Sequence, residues 1–278
     1  MKGIGVSGLD ILKHSWGMVW RNKADAARIS VVLLLLSMVV GFALSFSITF
    51  SPDLLLALGP IGLVLVQLVQ QVLSLLIGAW IAVAWHRYVL MNEDPTGWLP
   101  QLRGPQVMTY ALWAVLMMIG VVVLSFPLIL AFLLMIESIE AGAVPNTGQI
   151  VFLIIAFVVV MSLAMIAMMR LSTVLVSRAL GERLGVKQAW AATRGSNKMI
   201  FALFCWMFLI LFAVMLVVGF VASILGSMGL TILAFGVVVP IYVFGGWLFA
   251  MLQISIMTTI YGVYVEGREL PYSGGNLA

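Results

Sequence analysis

The sequence predicts an all-α polytopic membrane protein. It reads as six transmembrane helices in three hairpins, an N-terminal interfacial amphipathic helix, and both termini in the cytoplasm. Three observations lead there. First, 64% of the 278 residues are apolar and 9% are charged, whereas a soluble domain carries about a quarter charged residues. Second, the apolar residues gather in six runs, each long enough to cross about 30 Å of hydrocarbon. Third, all fourteen Lys and Arg fall on one side of an alternating threading of those runs, as cytoplasmic loops of membrane proteins require.

The elements follow in chain order. Residues 7–20, SGLDILKHSWGMVW, place Leu9, Leu12, Trp16, Val19 and Trp20 at helical spacing, with Lys13, His14 and Arg21 elsewhere around the helix. That pattern suits a helix lying along lipid headgroups, apolar face down and cations near anionic lipid; the alternative is a solvated lead-in to the first span. The spans are expected at 29–50, 61–90, 106–136, 150–181, 199–226 and 230–265, with a short cytoplasmic tail over 266–278. Ala43-Leu44-Ser45 resembles a signal-peptidase site, but the apolar run is of spanning length, so the first helix is expected to be retained. One membrane-embedded domain, 1–278, accounts for the chain.

Charge placement sets the topology. Five Lys/Arg precede residue 29, two lie in 86–106, six in 170–198, and Arg268 stands alone. Asp53, Glu137 and Glu140 flank the opposite side, where no Lys or Arg occurs. Trp16 precedes Arg21-Asn22, Trp98 precedes Arg103-Gly104, and Trp190 precedes Arg194-Gly195. This recurrence before each odd-numbered span suggests a threefold internal repeat in parallel orientation. Trp and Arg also concentrate at inner interfaces without any repeat.

Residues that carry chemistry are few. No acid lies deep in a span, which argues against carboxylate-coupled transport. His14 and His86 lack metal-binding helical partners, and His86 is expected to snorkel to the inner interface. Cys205, alone, reads as a packed thiol. No nucleophile motif, P-loop or dinucleotide fingerprint occurs. Hence no catalytic residue, metal, cofactor or nucleic-acid partner is expected.

Gln67, Gln70, Gln71 and Ser74 share one face of the second span, and Gln253, Ser255, Thr258 and Thr259 of the sixth offer matching partners. Amides in hydrocarbon need such bonds, either as interhelical glue or as the lining of a path for a lipid headgroup or small solute. Arg170 is the deepest cation; with Thr173, Ser177 and Arg178 it lines up toward the inner headgroups, where Trp16, Trp190 and Arg194 are also expected. Pro127 and Pro240 are expected hinges in the third and sixth spans.

One segment carries a family likeness. Arg170-Leu171-Ser172-Thr173-Val174-Leu175 leads to Ala189-Trp190 and Thr193-Arg194-Gly195. It resembles YciC-type six-helix inner-membrane proteins and the membrane domain of glycerophosphoryl diester phosphodiesterases. In both, an Arg closes one helix and an A-W-x-x-T-R-G-like stretch opens the next. The chain departs from that pattern at Val174–Val176, where the family often has proline. It shows no soluble phosphodiesterase domain, so that activity is not carried over. The resemblance implies a bacterial inner-membrane protein. Taken together, the expectation is a non-enzymatic structural or accessory protein contacting anionic inner-leaflet lipid, within a complex or homo-oligomer; the alternative is a transporter or lipid-handling protein using the polar stripe.

Overall fold

Local signals start and stop the helices where the sequence places them. The computed structural model describes residues 6–142 and 144–270, and every regular element among them is helical. Helix α1 (Gly8–Arg21) opens on a capping box: Ser7 Oγ accepts from the Asp10 amide, and the Asp10 carboxylate accepts from the Ser7 amide, which satisfies two otherwise orphaned donors. Helix α2 (Lys23–Phe50) follows after Asn22, and α3 (Pro52–Met91) after Ser51. Next come α4 (Gly104–Glu140) and α5 (Thr147–Leu180), the latter opened by an Asn146–Gln149 capping box. The short α6 (Val186–Ala192) precedes α7 (Asn197–Ser227) and α8 (Thr231–Tyr264).

Six of these helices are long and apolar enough to cross a membrane: Lys23–Leu44, Leu58–Met91, Gly104–Glu140, Thr147–Leu180, Asn197–Ser227 and Gly236–Tyr264. The expected span count therefore stands, with ends moved by a few residues. The expected tail falls partly on 271–278, outside the described residues. Pro127 and Pro240 lie inside continuous α4 and α8. Helical geometry is broken at Gly59, where φ is 59° and ψ −176°, just before Pro60. Glycine adopts that positive φ freely, and Pro60 has no N–H to donate across the break.

Three helices form the centre. α3, α5 and α8 pack on one another, and each remaining long helix fills a gap: α2 between α3 and α8, α4 between α3 and α5, α7 between α5 and α8. Each of these lies against the next helix in the chain and against the central helix of the preceding pair, in cyclic order. The short helices follow suit, α1 resting on α7 and α8 and α6 on α5.

Burial is confined to one end of the assembly. Among the described residues, the buried positions of α2 stop at Leu33, those of α3 begin at Ala79, and those of α4 stop at Met117. In α5 they begin at Ala164, in α7 they stop at Leu203, and in α8 they begin at Met251. All these segments meet at the end that carries the basic residues. The remaining stretches (34–50, 61–78, 118–140, 147–163, 204–227 and 231–250) are 17 to 24 residues long, the length that spans about 30 Å of hydrocarbon. Lipid tails are as apolar as Leu, so burying these stretches against one another would gain no hydrophobic free energy in a bilayer. The core forms where the helices extend beyond them.

Helix α1 is part of that core. Ile11 and Leu12 are buried with residues of α7 and α8, Ser15 bonds Thr259 of α8, and Met18 and Val19 are buried with residues of α2, α3 and α8. Of the face expected to lie in lipid, only Leu12 and Val19 are fully buried, while Trp16 and Trp20 stack at 6.0 Å with their rings exposed. The helix thus uses the neighbouring face for protein and leaves the tryptophans outward. Gly8 permits the approach, because a Cβ there would stand 2.5 Å from the Leu203 amide nitrogen and 2.7 Å from the Met199 carbonyl. Both obstacles are α7 backbone and cannot rotate away. Gly8→Val is expected to destabilise by about 1–3 kcal/mol. Thermal unfolding in detergent, together with faster proteolysis around residues 21–23, is the readout.

Candidate functional site

The basic end is held by polar bridges between the central helices. Between α3 and α8, His86 Nδ1 lies 2.8 Å from Thr258 Oγ1. The Thr258 hydroxyl itself donates to the Ile254 carbonyl at 2.9 Å, so His86 is the donor through Nδ1–H. Its Nε2 then faces the Tyr110 hydroxyl of α4 at 3.5 Å. Between α3 and α5, Arg87 donates to the Ala179 and Leu180 carbonyls at 3.3 and 3.4 Å. These are carbonyls of a helix C-terminus, which lack helical donors and favour a cation. Between α8 and the connector that follows α5, the Tyr261 hydroxyl donates to Glu182 Oε2 at 2.6 Å.

Arg87 is 7% exposed and its charge is met by Glu93. Arg87 Nε donates to Glu93 at 2.8 Å, a second guanidinium nitrogen donates to the other oxygen, and Arg103 adds two contacts at 3.1 Å. The Arg87 hydrogen bonds, with the nearby Arg87 and Arg103 charges, hold the Glu93 carboxyl below its usual range against the opposing effect of burial. A cavity of about 270 Å³ beside this cluster is lined by Arg87, Glu93, Asp94, Thr96 and Arg103 among others. Arg87 and Arg103 pair with Glu93, so it reads as a by-product of the ion-pair cluster.

The A-W-x-x-T-R-G segment forms a clamp around Arg170. Arg170 Nε donates to Thr193 Oγ1 at 3.1 Å, one terminal nitrogen to Asn197 Oδ1 at 3.1 Å, and the other to the Trp190 carbonyl at 2.5 Å. The guanidinium lies 3.7 Å from the Trp190 ring centroid, a cation–π contact. Thr193 is fully buried and bonds back to the Ala189 carbonyl at 2.8 Å. Gly195 takes a φ of 87° and turns the chain into α7. Arg170 joins α5, α6 and α7 and is 6% exposed, which corrects the expectation that it reaches headgroups. The physical reason is the short α6, which folds back and caps it.

Other expected sites separate. Gln67, Gln71 and Ser74 are exposed, and Gln70 lies beside Gly41 of α2. Their expected partners on α8 are engaged elsewhere: Thr258 with His86, Thr259 with Ser15 of α1 at 2.9 Å, and Ser255 with the Met251 carbonyl. Gln253 borders a small void near Met165 and Phe204. The stripe and the α8 hydroxyls sit at different heights, since the hydroxyls lie in the packed core and the amides below it. Arg178 and Trp190 are partly exposed and Arg194 is exposed. His86, expected at the interface, is instead fully buried. The signal that places it inside is Ala79 and Ala82 on its own face, small enough to admit a neighbouring helix. The Glu93 pairing has a weaker signal, an acid between two arginines in a short connector.

Two outcomes follow from this geometry. Lysine lacks the planar fork that serves three acceptors at once, so Arg170→Lys is expected to lower stability by about 1.5–3 kcal/mol, read by thermal unfolding. Glu93, with its pKa depressed on folding, stabilises the fold above its ordinary value near 4.5 and ceases to do so as pH falls through the lower folded value. Glu93→Gln is therefore expected to flatten the loss of stability on acidification, read as melting temperature against pH. Compared with protein-family models, curated proteins and solved structures, the chain finds no match.

Proposed function

We propose that this is a non-enzymatic protein of a bacterial inner membrane, built as three hairpins with both termini in the cytoplasm. It organises the inner leaflet and contacts its anionic lipids. The observation that carries this reading is the division of each long helix. A bilayer-length apolar stretch adjoins an extension that enters a core crowned by cations outside any ion pair among the described residues. Arg183, Lys187, Arg194 and Lys198 are exposed on that end, with Trp16, Trp20, Trp98 and Trp190 partly exposed beside them. Cations with tryptophans at one level suit a headgroup layer. The buried ionisable groups are bonded within the protein, Arg87 to Glu93, His86 to Thr258, and Arg170 to Thr193, Asn197 and Trp190, which favours a scaffold over a reaction centre. The likeness to YciC-type proteins supports the same placement, and a membrane complex or homo-oligomer fits the large unburied apolar surface.

A second reading rests on the amides. Gln67 and Gln71 are exposed within the bilayer-length part of α3, where amides without partners are costly. A lipid-handling or transport path along that face gives them a role.

Lys187→Gln with Arg194→Gln and Lys198→Gln is expected to leave the melting temperature unchanged and to weaken anionic-lipid binding by about 1 kcal/mol per charge removed. Binding is measured as the phosphatidylglycerol retained by the purified protein, relative to phosphatidylcholine. Equal retention of both lipids by the unmodified protein removes the lipid reading. If Gln70→Leu with Gln71→Leu abolishes lipid or solute movement in vesicles at unchanged stability, the second reading replaces the first.

A further inference from the structure

We infer that the groove between α4 and α5 is a binding site for one anionic phospholipid, with the headgroup at Arg178 and an acyl chain along Gly120. This rests on the lipid-contact reading above and names the site. The groove has a volume of about 250 Å³ and runs along α4 from Trp113 to Leu124, walled on α5 by Ala164, Ala167 and Leu171. Small side chains hollow it out, and a Cβ added at Gly120 meets nothing within 4 Å. From Trp113 to Leu124 the helix rises about 16 Å, from the packed end, whose buried positions on α4 stop at Met117, into the bilayer-length stretch that begins at residue 118.

The groove's upper end carries the charge. The Arg178 guanidinium stands 5.4 Å from the Trp113 ring centroid. It donates to the Glu182 and Leu184 carbonyls at 3.3 Å each, and its Nε–H has no acceptor among the described residues. Neither Arg178 nor the exposed Arg183 and Lys187 beside it takes part in an ion pair among the described residues. The acid in this stretch, Glu182, accepts from Tyr261. A phosphodiester supplies the acceptors and the negative charge that this rim lacks. With Arg170 enclosed by Trp190 and Thr193, Arg178 is the cation left at headgroup level on α5. The occupant is thus a lipid with an anionic head and an apolar tail, and neither part alone fills the site.

The test is thermal unfolding of the full chain in neutral detergent with added phosphatidylglycerol, phosphatidylcholine or glycerol phosphate. Phosphatidylglycerol at about 100 times its Kd is expected to raise Tm by about 5–10 °C, and the other two are expected to have little effect. Gly120→Leu fills the groove without touching the rim, and Arg178→Gln removes the charge without touching the groove. Each is expected to remove most of the phosphatidylglycerol-specific shift. Gly120→Leu is expected to keep the lipid-free Tm, which guards against a folding defect in Arg178→Gln. A full shift with glycerol phosphate, or an equal shift with phosphatidylcholine, overturns the proposal. So does a full phosphatidylglycerol shift in Gly120→Leu, which leaves general anionic-lipid contact standing. No phosphatidylglycerol shift in the unmodified chain overturns both.

Discussion

The architecture depends on the contact between α3, α5 and α8 at the basic end, bridged by His86–Thr258, Arg87 on the α5 carbonyls, and Tyr261–Glu182. In the hydrocarbon, burying one leucine against another gains little, because lipid offers the same environment. Cohesion must come from polar bonds or close packing. The helices meet where both are present. Each bridge between neutral groups contributes about 0.5–1.5 kcal/mol and those to a charged partner about 1.5–3. Their larger effect is directional, since they set which helix faces which and at what height. The peripheral helices then fill the gaps, and α1 and α6 cover the end.

Much of this was legible in the sequence. Six apolar runs and the one-sided distribution of Lys and Arg identify the spanning helices, because length and charge are properties of a segment alone. The capping boxes at Ser7–Asp10 and Asn146–Gln149 are also written locally. Pairings were less legible. His86 looks like an interface residue from its own segment, and only the arrival of Thr258 and Tyr110 from distant helices makes it internal. The Gln67–Gln71 stripe and the α8 hydroxyls look complementary in composition, but they occupy different heights, which segment-wise reading does not measure. Arg170 shows the same limit. Its depth along α5 suggested a path to headgroups, and the seven residues of α6 close that path.

The A-W-x-x-T-R-G segment gains a physical meaning from that closure. Alanine at 189 fits where there is no room, Trp190 supplies a ring and a carbonyl, Thr193 supplies a hydroxyl, and Gly195 supplies the turn. Arg194 is exposed. In this chain the segment seats an arginine under a short helix.

The cyclic order of the helices bears on biogenesis. The ring closes by joining its first members to its last: Ser15 bonds Thr259, and Trp247 donates to Ser30. These partners are 244 and 217 residues apart. At about 5–20 residues per second, a ribosome takes about 12–50 s to cover the longer distance. Throughout that interval α1 and α2 have been made and their final partner has not. The nascent N-terminal segment must wait in the membrane, unlatched, until the last helix is inserted.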